Sequence, residues 1–307
     1  MRILLVGLFV MVSLNGCSLL GPPREVIEPP GVEIQRGEIV QTLPGGRVLR
    51  ADIYRRAGTT EIQPAVLWVY GGGWLLGSRH QCPIAPLALR GYTVVSVDYR
   101  LSQEAVFPAS LHDVKTAFRW VRAQAPRLGV DPDRVGVWGV SAGGHLAALM
   151  ATTSGMEWYD GVASAGKAPA PTCVVAYFPP TDLVRLVADG EPVSWKMRFA
   201  LRRLLGGDPA DSPTAKTLAE RASPRALITP ATRPILIVHG SEDGFIPVSH
   251  SVDFVQDLLR AGIDARLEVV MGFDHGNTLL ANAEVRRSVH AFLDRQLHPV
   301  IPAGAPE

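Results

Sequence analysis

The feature that most limits how this chain can fold is a rhythm. Six short runs of apolar, mostly β-branched residues, at 65–70, 93–98, 134–138, 173–178, 235–239 and 266–270, alternate with stretches of helical period at 82–90, 109–128, 142–153, 248–261 and 281–297. An apolar run without polar alternation is buried on both faces, which calls for a parallel sheet with helices above and below. Within 109–128, Leu111, Val114, Phe118, Val121 and Ala125 fall on one helical face, the stripe such a helix needs to cover a sheet. Ahead of the first run, 31–41 and 47–54 flank Pro44-Gly45-Gly46 and predict a β-hairpin. The expectation is one α/β domain over 32–298 with a mostly parallel sheet. Residues 179–233, Pro-rich around a helical segment at 195–205, break the rhythm and predict a small insertion; 299–307 is expected to be a flexible tail.

The ends and the charge narrow the class. Lys and Arg number 30 against 29 Asp and Glu in 307 residues, and that balance argues against a nucleic-acid partner, which requires a basic face. Residues 1–16 hold Arg2 followed by a mostly apolar run, too short to span a bilayer and of the length of a signal-peptide core. Leu14-Asn15-Gly16-Cys17 resembles a bacterial lipobox, with Cys17 as the lipidated residue and Asn15 departing from the commoner Ala, Ser or Thr. Residues 17–31, with Pro22-Pro23 and Pro29-Pro30, predict an extended tether, because Pro fixes φ and supplies no N–H. The expected location is the cell envelope, as a membrane-anchored lipoprotein, outer-membrane in a diderm because Ser18 rather than Asp follows Cys17; without lipidation it is secreted or periplasmic. Cys82 and Cys173 can form a disulfide in such a compartment or stay as buried thiols.

The chemistry is concentrated where apolar runs end. Residues 134–138 lead into Gly139-Val140-Ser141-Ala142-Gly143-Gly144 and then a helix. By composition alone a G-x-S-x-G match arises roughly 0.15 times by chance in this chain. The strand-to-helix context gives it weight, since a nucleophile on a sharp turn needs small neighbours and gains from the helix N-terminus. Tyr70-Gly71-Gly72-Gly73-Trp74 follows an earlier run, and its glycines free backbone N–H groups to serve an oxyanion. A phosphate loop is the other use of such glycines, but no Lys-Ser/Thr follows and there is no G-x-G-x-x-G. The run at 235–239 ends before Glu242 and Asp243, and that at 266–270 before Asp274 and His275. The order Ser141, Asp243, His275 suits a Ser-His-Asp nucleophile system. Asp182, after the 173–178 run, is the rival acid. Of the other histidines, His145 is expected to pack locally and His239 to stand behind the site, while His80, His112, His250, His290 and His298 have no reason to reach Ser141.

With these residues in view, the chain resembles the α/β-hydrolase esterases of the hormone-sensitive-lipase-like and acetylxylan/feruloyl-esterase-like group. The likeness runs from about Gln35 to Leu297 and includes Val97-Asp98-Tyr99-Arg100-Leu101, Phe107-Pro108-Ala109, Asp131-Pro132-Asp133-Arg134-Val135 and Ser141-Ala142-Gly143-Gly144-His145-Leu146-Ala147. It implies an α/β-hydrolase fold with the insertion over the active site, Ser141 as nucleophile, Asp243 as acid, His275 as base, and oxyanion donors on Gly72, Gly73 and Ala142. Tyr70 stands where that group usually carries a loop-supporting His, and Gly276-Asn277 lacks the aromatic that commonly follows the His-Gly. The expected activity is hydrolysis of short-chain carboxylic esters, on a small molecule or a polysaccharide, through an acyl-enzyme. The same triad could serve an amidase, peptidase or arylformamidase, and a non-catalytic binding module is the remote alternative. No metal or organic cofactor is implied, since no Cys/His cluster has ligand spacing, and the oligomeric state is left open.

Overall fold

The computed structural model describes residues 29–161, 170–188, 193–276, 278–298, 300 and 304. The predicted signal segment, Cys17 and nearly all of the tether and tail lie outside them. Eight strands form one sheet: β1 (Val32–Thr42), β2 (Val48–Arg56), β3 (Gln63–Val69), β4 (Thr93–Val97), β5 (Val130–Val140), β6 (Val174–Tyr177), β7 (Ile235–Gly240) and β8 (Ala265–Val270), in the order β1-β2-β4-β3-β5-β6-β7-β8. From β4 to β8 every pairing is parallel; β2 runs antiparallel to both β1 and β4. This is the α/β-hydrolase fold. The hairpin closes where Gly46 N donates to Leu43 O at 3.0 Å and Leu43 N to Arg47 O at 2.7 Å.

The central strands are apolar throughout because no face of them meets water. Every residue of β3, β4, β6 and β7 is buried, and each large aliphatic side chain so placed contributes about 1.5–3 kcal/mol. One face is covered by helices α1 (Ala109–Ala123), α2 (Ala125–Leu128) and α3 (Ala142–Thr152), through residues such as Phe118, Leu128 and Leu146. The other carries a 3₁₀ turn at Ala85–Arg90 through Leu87 and a C-terminal helix through Val289 and Phe292. The insertion leaves the end of β6 and holds α4 (Leu183–Val187), α5 (Trp195–Leu205) and α6 (Pro213–Arg221), followed by a 3₁₀ turn at Pro224–Leu227. Helix α7 (Ser249–Arg260) joins β7 to β8, and α8 (Ala283–Leu297) closes the domain.

Several predicted boundaries shift, each for a local reason. The stretch at 109–128 is two helices, because Pro126 supplies no N–H and its ring crowds the carbonyl one turn earlier. At 82–90 only the 3₁₀ turn forms, with Pro83 and Pro86 denying a full helical ladder. Residues 281–297 are interrupted at Asn282, whose side chain caps α8 by accepting from Glu284 N and Val285 N. The single helix expected in the insertion is joined there by two more, α4 and α6. Cys82 and Cys173 are both buried free thiols, so no disulfide joins them.

Candidate active site

β5 delivers its last residue, Val140, straight into α3, and Ser141 forms the turn with φ 53° and ψ −119°. A non-glycine residue at positive φ is strained by about 1–3 kcal/mol and persists only where its surroundings fix it. Here Ser141 N donates to Tyr177 O at 2.9 Å and His145 N to Ser141 O at 2.8 Å. The turn also needs a bare Cα next to it: a Cβ on Gly143 would lie 2.1 Å from Val69 O and 2.4 Å from Tyr70 O. That contact presses α3 against the end of β3, and so sets the nucleophile beside the glycine loop.

Ser141 Oγ–H donates to His275 Nε2 at 2.9 Å, and His275 Nδ1–H donates to Asp243 Oδ2 at 2.7 Å. Asp243 is fixed in turn, its Oδ1 accepting from Phe245 N at 2.9 Å and Ile246 N at 2.8 Å. His239 adds its Nε2 at 3.2 Å from Asp243 Oδ2 and 2.9 Å from Ile246 O, while its Nδ1 accepts from Ser251 Oγ at 2.6 Å. Burial by itself would raise the Asp243 carboxyl, but hydrogen bonds from His239 and His275, the His275 charge and the Ile246 N–H outweigh it and hold the carboxyl well below the usual carboxylate range. A carboxylate that stays ionised fixes the Nδ1–H tautomer and leaves Nε2 free to take a proton. The His275 ring is packed by Phe178 at 4.3 Å and Phe245 at 5.4 Å between centroids.

The glycine loop runs past the nucleophile: a Cβ on Gly71 would come 3.3 Å from Ser141 Cβ. Gly72 has φ 119° and a Cβ there would meet Leu76 O at 2.3 Å, so the loop's course is open only to glycine. Ala142 begins α3, where N–H groups of the first turn lack partners within the helix. Gly72 and Gly73 follow Gly71 in this loop, and Ala142 follows Ser141 at the start of α3. Tyr70 stacks on Tyr99, 4.4 Å between centroids, and Tyr99 Oη donates to Tyr70 O at 3.0 Å; these contacts hold the loop where the resembling group uses His.

The remaining candidates are elsewhere. Asp182 caps α4 by accepting from Arg185 N at 3.0 Å. Glu242 is exposed. Asp274 Oδ1 accepts from Gly244 N at 3.0 Å and His275 N at 2.6 Å, tying the loop that carries Asp243 to the loop that carries His275. His145 is fully buried; its Nε2–H donates to Ala222 O of the insertion at 2.6 Å, and its ring meets Trp74 edge-on at 5.2 Å. Burial pushes its pKa down to about 4, against the Ala222 carbonyl that raises it. Phe178, Phe245 and Trp74 were not legible as site residues; Phe178 and Trp74 stand directly after an apolar strand or the glycine loop, which is the signal they offer. Among the described residues no group of three or more His, Cys, Asp or Glu could hold a metal ion, and no helix is long and apolar enough to cross a membrane.

A strained serine between β5 and α3, a buried carboxylate after β7 and a histidine after β8 define the α/β-hydrolase class of site. The chain belongs to the BD-FAE family, whose profile matches residues 51–258. It is 30% identical over 255 residues to esterase LipC of Mycobacterium tuberculosis, covering 78% of this chain and 60% of that one. It is 28% identical over 226 residues to ethyl acetate hydrolase of Pseudomonas putida, covering 69% and 65%. The chain spans 52–60% of the length of the mycobacterial relatives LipC, LipQ and LipM. Among solved structures, the thermophilic esterase Est2 of Thermogutta terrifontis superposes with a TM-score of 0.71 at 26% identity, over 94% of this chain and 99% of that one. Est2 has also been solved with propionate and with butyrate bound.

Proposed function

We propose that this protein is a carboxylic ester hydrolase for short acyl groups, working through an acyl-enzyme on Ser141. The observation that carries the reading is the relay from Ser141 Oγ to His275 Nε2 at 2.9 Å and from His275 Nδ1 to Asp243 Oδ2 at 2.7 Å, with Ser141 held at φ 53°. His275 takes the Ser141 proton as Oγ attacks the ester carbonyl. The N–H groups of Gly72, Gly73 and Ala142 receive the oxyanion, each worth about 3 kcal/mol in the transition state. His275 then protonates the leaving alcohol, and water repeats the sequence on the acyl-enzyme. The esterase names of the relatives and the propionate and butyrate complexes of Est2 support short acyl groups, as does an insertion of modest length without a long apolar lid. The alcohol side is a small molecule or a polysaccharide.

The same reading has the domain held at the cell envelope. Leu14-Asn15-Gly16-Cys17 after an apolar run supports cleavage before Cys17, its lipidation, and a Pro-rich tether to the domain. In a diderm host Ser18 supports sorting to the outer membrane.

Two measurements test these statements. The full-length protein is assayed on p-nitrophenyl esters of increasing acyl length and a p-nitroanilide, beside Ser141→Ala. Turnover peaking at acetate or butyrate and lost in the variant is expected. Hydrolysis of the anilide alone, or equal activity in the variant, would overturn the ester reading. Mass spectrometry of protein expressed in its own envelope tests the anchor: a Cys17 without diacylglycerol ends the lipoprotein reading.

A further inference from the structure

Helix α5 turns an uncommon face to solvent. Its inner side, Met197, Ala200, Leu201, Leu204 and Leu205, is buried, and its N-cap Ser194 accepts from Met197 N. The outer side carries Trp195, 73% exposed, and Phe199, 53% exposed. Four residues apart, the two rings share a helix face and lie about 6 Å apart along the axis. The eleven residues also hold Lys196, Arg198, Arg202 and Arg203 and not one acid. Arg202 pairs with Asp208, Arg198 reaches Val187 O and Ala188 O at 3.3 and 3.4 Å, and Lys196 Nζ stands 5.9 Å from the Trp195 ring centre. The result is a strip of two solvent-facing aromatics with Lys196 and Arg203 beside them. A soluble surface does not ordinarily cluster large aromatics unless something covers them.

The helix that carries the strip is packed by its inner side against the glycine loop. A Cβ on Gly73 would lie 3.5 Å from Ala200 Cβ, so α5 rests on the glycine loop next to Ser141. At its far end Leu204 O accepts from Phe107 N at 2.8 Å.

Exposed aromatics among cations fit an anionic partner that offers flat apolar faces. An acidic polysaccharide does so through its sugar rings, and an anionic bilayer through its interface. The topology favours the first. Val32, the first residue of β1, pairs with Arg56, while Thr42 pairs with Val48 and Ala51 with Val97. β1 therefore begins at the end of the sheet where the parallel strands start, and Ser141 and α5 sit at the other end. A tether entering ahead of Val32 would point α5 away from the surface that holds it.

We propose that α5 is a docking rail for an acidic polysaccharide, with Trp195 and Phe199 stacking on neighbouring rings and Lys196 and Arg203 facing their carboxylates. The binding itself is independent of the reaction. The choice of a polymer over a bilayer rests on the envelope-anchor reading, and its consequence, that the scissile ester is carried by such a polymer, rests on the ester-hydrolase reading.

The test is binding of the full-length, detergent-solubilised protein to polygalacturonate, with neutral xylan and phosphatidylglycerol–phosphatidylcholine vesicles as comparisons. Polygalacturonate is expected to bind, more weakly as salt rises, and better than xylan. Trp195→Ala and, separately, Phe199→Ala should each weaken binding about five- to tenfold; both side chains are solvent-facing, and an unchanged thermal midpoint checks that the variants fold. Lys196→Glu with Arg203→Glu should weaken it further. No binding to polygalacturonate, binding indifferent to these substitutions, or binding to the vesicles in its place would overturn the proposal. Ser141→Ala separates the two readings. If it binds the polymer while the parent fails to cleave p-nitrophenyl butyrate, the rail stands and the ester reading falls. If the parent cleaves butyrate but does not bind polygalacturonate, the rail falls alone.

Discussion

Replacing Asp243 by Asn tests the relay at its most constrained point. The amide oxygen can occupy either carboxylate position. At the Oδ1 position it keeps the N–H groups of Phe245 and Ile246, 2.9 and 2.8 Å away, and turns its NH₂ toward His275. In the other orientation NH₂ faces those two N–H groups, which have no means of becoming acceptors. Each buried donor left unpaired costs about 1–3 kcal/mol. His239 Nε2–H, which the first orientation deprives of Asp243 Oδ2, keeps Ile246 O at 2.9 Å. The first orientation is therefore favoured by about 2–6 kcal/mol, a bias of about 30- to 2 × 10⁴-fold. His275 can answer only by changing tautomer, so that Nδ1 accepts from the amide and Nε2 carries the proton. Nε2–H then points at Ser141 Oγ and cannot take its proton. The expected result is a kcat on p-nitrophenyl butyrate lower by about 10³- to 10⁴-fold, with KM within a few-fold and the protein still folded by its thermal midpoint. A folded Asp243→Asn variant that keeps more than about a tenth of the parent kcat would refute this reasoning.

Other contacts carry expectations of their own. The His145 pKa lies near 4 against an unfolded value of 6.5, so between those pH values the unfolded chain binds a proton that the folded one refuses. Stability falls as pH drops through that window, by about 3 kcal/mol for this group; His145→Gln, which can still donate to Ala222 O, should flatten the decline in denaturant titrations at pH 7 and pH 4. Asp243, held low, keeps its contribution through the same window and loses it only in stronger acid. Gly143→Ala drives a Cβ into two carbonyl oxygens and should cost about 3 kcal/mol or more by chemical denaturation. Gly72→Ala, placed against Leu76 O at φ 119°, should lower kcat about 100-fold or more in steady-state assays. Cys82 and Cys173, both buried and free, should react with a thiol reagent only after unfolding, and a reductant should leave the melting temperature unchanged.

What the sequence disclosed depended on how local the cause was. A strand buried on both faces writes its own pattern, because every position must be apolar, and β3, β4, β6 and β7 were legible for that reason. Asp243 stood out because it follows such a strand, β7, and Ser141 because it follows the buried end of β5 amid glycines. His275 follows β8, an edge strand of mixed burial that carries Arg266 and Glu268, and was marked by Gly272 and Gly276 around it. The structure brings the three into hydrogen-bonding line. Asp182 looked equivalent by that criterion. The residues after it make the difference: Leu183 to Val187 form a helix, and the carboxylate is consumed in capping it. Helix limits were missed where a single proline or a capping Asn decided them. The bond from His145 to Ala222 spans 77 positions, and no local pattern encodes which residue of the insertion will come to rest on α3.

The backbone explains why the insertion and the catalytic turn have to be considered together. Four described non-glycine residues have positive φ; three of them, Trp74, Ser141 and Phe178, surround the site. At about 1–3 kcal/mol each, these conformations ask about 3–9 kcal/mol of the surrounding packing. Every residue of α3 is buried, Trp74 is 1% exposed, and the two are coupled through the His145 ring, which the Ala222 carbonyl holds in place. The strain that presents Ser141 is therefore borne by contacts reaching into the insertion. A substitution at Ala222 that displaces its carbonyl would act on the glycine loop through Trp74, without touching substrate.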